Sequence, residues 1–197
     1  MKNEINFTFA SALRTFLRQD PEIILVGEIR DQETGNIAVE AALTGHLVLS
    51  TLHTNDSVNT ITRLVNMGIP NYLVSSSVSL VIAQRLARKT CDNCKTKDTS
   101  IKPETLSQLG IKGKITLQKG KGCSKCNNTG FKGRRGIYEV LKITPSIQDA
   151  ILKNMTAPEI MAIAKKEGYR PMQEVGADYL KNGELSFDEY QRTLFVG

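Results

Sequence analysis

Ile23-Ile24-Leu25-Val26-Gly27-Glu28-Ile29-Arg30-Asp31, followed by Thr44-Gly45-His46-Leu47-Val48-Leu49-Ser50-Thr51-Leu52-His53-Thr54-Asn55, decides the fold of this chain. Each stretch holds a short continuous apolar run, the pattern of a strand covered on both faces, and each run leads straight into polar residues. Between them, Asp31 to Leu43 reads as a helix carrying Ile37, Val39, Ala41, Ala42 and Leu43 and stopped by Gly45. A strand, a helix and a second strand in one sheet place the two strands parallel. Glu28 and His53 then arrive at the same carboxyl-end edge, where α/β domains that work on nucleotides do their chemistry. The fold class is α/β. Nowhere in the 197 residues is there a Gly-x-x-x-x-Gly-Lys-Ser/Thr loop to cradle phosphates.

Working outward, Phe7 to Gln19 places Phe9, Leu13, Phe16 and Leu17 at helical spacing, and Asp20-Pro21 ends that helix. Asp56 is placed to cap a helix running to Met67, ahead of the Gly68-Ile69-Pro70 break, and Asn71 to Lys89 is long and apolar enough for another helix. Ile137 to Leu141 alternates like a strand. Short helices follow near Pro145 to Asn154, Ala157 to Glu167, Met172 to Lys181 and Ser186 to Leu194. Thr156-Ala157-Pro158-Glu159 and Ser186-Phe187-Asp188-Glu189 both resemble capping boxes. With 40% apolar and 23% charged residues the chain can bury a real core. It has no apolar run of about eighteen residues and no signal-peptide pattern, which points to a cytoplasmic protein.

Composition shifts at Thr90. From there to Arg135 the chain is rich in Lys, Gly, Asn and Thr and too polar to fold around a hydrophobic centre of its own. The expected segmentation is therefore an α/β core over 1–89, a cysteine module over 90–135, and a strand plus helical region over 136–197. Cys91-Asp92-Asn93-Cys94 and Cys123-Ser124-Lys125-Cys126 are two knuckles whose spacing lets paired thiolates grip one tetrahedral zinc. Four cysteines with no spare ligand imply a closed, structural site, in preference to two redox pairs or unligated thiols. The net charge is +6, and between Lys112 and Arg135 there are eight basic residues and no acidic one. Nucleic-acid binding is nonetheless not expected. Phe131 is the only aromatic residue between Thr90 and Arg135, so stacking platforms are lacking.

A carboxylate at the end of a buried strand costs several kcal/mol unless compensated, so Glu28 suits either a residue that orients attacking water or a partner in a salt bridge to Arg30 or Arg18. His53, past the second strand, could donate to a phosphate oxygen. His46, at that strand's start, is expected to satisfy backbone groups.

Leu13-Arg14, Leu17-Arg18-Gln19-Asp20-Pro21, Val26 to Asp31, Thr44-Gly45-His46, Ser50 to Asn55, Ala83-Gln84-Arg85-Leu86 and the cysteines closing on Gly130 to Gly136 resemble the secretion ATPases of type II secretion and type IV pilus assembly, the GspE/PilB family. The resemblance is dense over residues 7–141 and loose over the helical tail. It implies the second half of a RecA-like P-loop NTPase core. Glu28 corresponds to the catalytic base of an atypical Walker B motif, and His53 lies in a histidine box near the nucleotide. Gly27, Arg30 and Thr54 are implied to lie near the nucleotide, and Arg14 and Arg18, one turn apart on a helix, face nucleotide, a neighbouring subunit or, as a solvated basic stripe, water. Cys91, Cys94, Cys123 and Cys126 correspond to a zinc-binding insertion absent from pilus-retraction ATPases. The family implies ATP with Mg2+ as substrate and cofactor, a homo-hexamer, and partners in an inner-membrane platform that hold the cytoplasmic protein peripherally at the membrane. The Walker A loop and N-terminal domains precede the region matched here, so the chain reads as a fragment that is inactive alone. Other readings are a non-catalytic zinc-containing docking module and a basic zinc ribbon that binds nucleic acid.

Overall fold

The computed structural model describes residues 8–111 and 115–195. They form a mixed α/β chain that packs as two compact units, each discontinuous in sequence: residues 1–83 with 140–169, and residues 84–139 with 170–197. Packing therefore divides the chain differently from composition, which changes at Thr90 and again near Gly136.

In the first unit, α1 (Phe9–Leu17) is followed by β1 (Ile23–Val26), α2 (Gln32–Leu43) and β2 (Leu47–Ser50). β1 and β2 pair in parallel, from Ile23 opposite Leu47 to Val26 opposite Ser50, as the strand-helix-strand pattern requires. Asp31 caps α2 by accepting from the Thr34 N–H at 2.8 Å. Beyond the helix, Gly45 takes the left-handed conformation (φ 102°) that turns the chain into β2. His46 Nδ1 lies 2.9 Å from the Ala41 carbonyl, so this histidine does satisfy backbone at the helix end.

Among the described residues these strands are covered on one face. Ile24 and Val26 point into a core with Leu13, Ile37, Ala38 and Ala41, whereas Ile23 and Leu25 are 62% and 74% exposed and Leu47 and Leu49 are also exposed. The helices α1 and α2 supply apolar cover to one face alone.

Further along, α3 (Ser57–Asn66) is capped by Asp56, which accepts from the Asn59 N–H at 2.7 Å. The single helix expected from Asn71 to Lys89 is corrected to a short α4 (Asn71–Ser77) and an eleven-residue strand, β3 (Leu80–Thr90). The cause is visible at the junction. The hydroxyls of Ser75, Ser76 and Ser77 bond back to the carbonyls of Tyr72 and Leu73, a local competition that weakens helices. The following residues then pair with β6 (Phe131–Lys142). The unit is completed by α6 (Pro145–Leu152) and α7 (Ala157–Lys166), whose Ile147, Ile151 and Ile160 close a core around Val58, Ile61, Ile69 and Val74.

In the second unit, β4 (Lys95–Lys97) pairs antiparallel with β5 (Gln118–Gly120), and α5 (Pro103–Gln108) lies between them in sequence. The helices α8 (Met172–Lys181) and α9 (Phe187–Leu194) belong here. Leu106, Ile111 and Leu117 share a buried cluster with Ala177, Leu180, Phe187 and Tyr190. The polar cysteine segment thus has apolar support, borrowed from helices some sixty residues downstream in sequence. Of the two capping boxes, Thr156 does donate its N–H to Glu159 at 2.7 Å. Glu189 departs from the pattern: its N–H bonds Ser186 Oγ at 3.3 Å, but its carboxylate turns to Arg88 and Arg192.

Candidate functional site

β1 ends at Val26, and the next three residues are held by the continuation of β2. Thr51 Oγ1 donates to the Gly27 carbonyl at 2.7 Å, and the Thr51 carbonyl accepts the Ile29 N–H at 3.0 Å. This two-bond clamp extends the parallel register past both strands and fixes the backbone on either side of Glu28. The Glu28 carboxylate then meets Arg30 Nη2 at 2.5 Å through Oε1 and His53 Nε2 at 3.3 Å through Oε2. Oε2 itself is buried from solvent. Ser50 Oγ, at the end of β2, is likewise buried and unpaired.

The Arg30 hydrogen bond, set against partial burial and aided by the charges of Arg30 and His53, holds the Glu28 carboxyl below its ordinary value. Glu28 is therefore an ionised hydrogen-bond acceptor at neutral pH.

The structure brings Gly27, Glu28, Arg30 and His53 together. The other sequence-derived residues are engaged with other partners or face solvent. Thr54 Oγ1 is engaged 2.7 Å from Thr60 Oγ1, at the first turn of α3. Arg14 pairs with Glu33 at 3.0 Å, both half-exposed, and Arg18 caps the end of α1 in solvent. Ser50 and Thr51 were not singled out from sequence. Their signal was a Ser-Thr pair closing one strand opposite the Gly-Glu that closes its parallel neighbour.

The four cysteines converge: Cys91, Cys94, Cys123 and Cys126 offer sulfurs that all lie within 4.8 Å of one another. Cys126 Sγ is 3.8 Å from Cys94 Sγ and 3.7 Å from Cys123 Sγ. A tetrahedral ion with metal–sulfur bonds of about 2.3 Å requires sulfurs about 3.8 Å apart. The left-handed residues Asn127, Asn128 and Gly130 wrap the second knuckle, so that the N–H groups of Cys123 and Gly130 point at Cys126 Sγ from 3.2 and 3.3 Å. The Gly130 carbonyl accepts the Cys91 N–H at 2.9 Å, joining the knuckles. A Cβ on Gly120 would collide with that carbonyl, which accounts for glycine there. Burial raises the Cys126 thiol, yet the Cys123 and Gly130 donors outweigh it and take the group down to about 6. Burial pushes Cys94 up to about 12.

A parallel strand pair with a carboxylate fixed at its carboxyl edge makes this an α/β domain, and its fold is shared with a solved motor ATPase. The pilus retraction motor PilT with bound ADP superposes with a TM-score of 0.66 at 27% identity, over 94% of this chain and 43% of that one. The chain belongs to the family described as Type II/IV secretion system protein, whose model matches residues 1–192. It is 48% identical over 188 residues to the type IV pilus assembly ATPase PilB of Pseudomonas aeruginosa, covering 93% of this chain and 33% of that protein. It is 42% identical over 188 residues to the type II secretion system protein HxcR of the same organism, covering 95% of this chain and 37% of that protein. The chain thus spans about a third of the length of these relatives.

Proposed function

We propose that this chain is the part of a hexameric secretion or pilus-assembly ATPase that carries the water-activating carboxylate, and that the whole protein couples ATP hydrolysis to assembly of pilin-like subunits. The observation that carries the reading is Glu28, fixed by the Thr51 clamp at the carboxyl edge of parallel strands with His53 3.3 Å from its Oε2. Glu28 orients and deprotonates the attacking water, and Arg30 shields the carboxylate and holds its turn until nucleotide arrives. His53, 90% exposed at the side chain, is available to a γ-phosphate oxygen. Gly27 leaves the approach to Glu28 open, since no atom lies within 4 Å of where a side chain would begin. Thr54 shapes the same edge by fixing its loop to α3. Arg14 and Arg18 face nucleotide or a neighbouring subunit. Mg2+ arriving with the nucleotide supplies charge neutralisation at the phosphates.

The cysteine cluster fits zinc in ligand type, number and spacing. Cys91, Cys94, Cys123 and Cys126 would hold it, and its contribution is folding free energy with no part in the reaction. The resemblance also supports a cytoplasmic protein held at the inner membrane by the platform proteins of its machine, with no nucleic acid involved. ATP hydrolysis by the full-length protein containing this chain tests the proposal. Turnover there, with none by these 197 residues alone, is the expected result, and a full-length protein without ATPase activity overturns it.

A further inference from the structure

We propose that Asn93 is a positioning residue of the metal centre: its carboxamide braces the two cysteine knuckles by donating across the cluster to Cys123. The proposal rests on the reading of the four cysteines as a metal site. Asn93 lies inside the first knuckle, between Cys91 and Cys94, yet its Nδ2 sits 3.4 Å from Cys123 Sγ in the second. Four thiolates around a divalent cation carry a net charge of −2, and Cys91 and Cys126 are nearly out of solvent, at 1% and 6% exposure. Donors to sulfur spread that charge and hold the thiolates together against their mutual repulsion. The N–H groups of Cys123 and Gly130 serve Cys126, and both come from the second knuckle's own fold. Asn93 differs because it is a side-chain choice, and because its bond runs from one knuckle to the other. It fixes where Cys123 stands relative to Cys91 and Cys94 before an ion arrives.

Two features of the surroundings fit this role. Asn93 is itself exposed, so packing does not require it. Its neighbour Asp92, whose carboxylate would repel the sulfurs, is drawn off by Lys95 at 2.8 Å, and Lys125 and Lys132 line the same recess beside Cys91 and Asn93.

The test uses the 197-residue chain, with zinc affinity measured by competition against a chelator and with Co2+ as a spectroscopic probe. Asn93→Ala should weaken zinc binding about tenfold, the lower end of what outer-ligand partners contribute. Asn93→Asp should weaken it further, since a carboxylate then faces the thiolates. In both variants the sulfur-to-cobalt charge-transfer band should move to longer wavelength, because a thiolate that loses a hydrogen bond gives up its electron more readily. A purely structural surface residue would not move that band. Affinity within twofold of the parent with an unchanged band in both variants overturns the proposal. A parent chain that takes up no metal overturns the metal reading beneath it.

Discussion

Glu189→Gln should destabilise the second unit by on the order of 3 kcal/mol, and the structure gives two routes to that figure. The Glu189 side chain has no exposed surface and accepts from the Arg88 N–H at 2.7 Å, Arg88 Nε at 3.0 Å, Arg88 Nη2 at 2.7 Å, Arg192 Nε at 2.9 Å and Arg192 Nη2 at 2.5 Å. Removing one partner of a buried ion pair costs about 3–5 kcal/mol. Because Arg88 and Arg192 are themselves about half exposed, at 49% and 54%, the lower end applies. The second route is titration. Burial raises the Glu189 carboxyl, but the bonds from Arg192 and Arg88 outweigh it and bring the group from an ordinary 4.5 down to about 2. A shift of that size is again on the order of 3 kcal/mol. Since the folded value is the depressed one, the stabilisation is fully present above the unfolded value near 4.5 and is lost as pH falls toward about 2. Urea unfolding followed by circular dichroism measures both effects. The variant should have a lower midpoint at pH 7 and a shallower loss of stability between pH 5 and pH 2, the window of about 4.5 to 2 with a margin. A variant within about 0.5 kcal/mol of the parent, the range of ordinary surface changes, would refute the reasoning.

Three further outcomes are expected. One zinc should be found per chain by elemental analysis, and Cys94→Ser should open residues 90–135 to protease while leaving β1 and β2 protected; absence of metal in freshly reduced protein would contradict this. In the full-length protein, Thr51→Val should lower ATP turnover about tenfold or more with ATP affinity retained, and Thr51→Ser should restore it, because the hydroxyl positions Glu28 without touching substrate; unchanged turnover in the valine variant would remove Thr51 from the site. The 197 residues alone should bind ATP with Mg2+ only weakly by calorimetry, since no phosphate-cradling loop is encoded in them; submicromolar affinity would place the phosphate site elsewhere in the chain.

Local chemistry made much of this molecule legible in sequence. Asp56 caps the helix it is expected to cap, the run from Ile23 to Ser50 folds as strand, helix and parallel strand, and the four cysteines meet. What escaped depends on partners distant in sequence. Residues 80–90 carry apolar side chains compatible with a helix or a strand, and pairing with β6 selects the strand. Glu189 looks like half of a capping box until Arg88, a hundred residues earlier, claims its carboxylate. The cysteine segment looks coreless because Leu180, Phe187 and Tyr190 lie far downstream. At the strand edge, Glu28 was legible from its place after an apolar run. Thr51 was less so, because its hydroxyl serves a carbonyl across the sheet, and its signal shows only once the two strands are set side by side.

The central claim is that Glu28 activates the attacking water, and the direct measurement is ATP hydrolysis beside ATP binding in the full-length Glu28→Gln protein. The amide keeps the size of the side chain and removes the base. Binding should persist while turnover falls by roughly 10²-fold or more, the usual contribution of a general base. Turnover close to the parent's would contradict the account and leave Glu28 as the structural partner of Arg30.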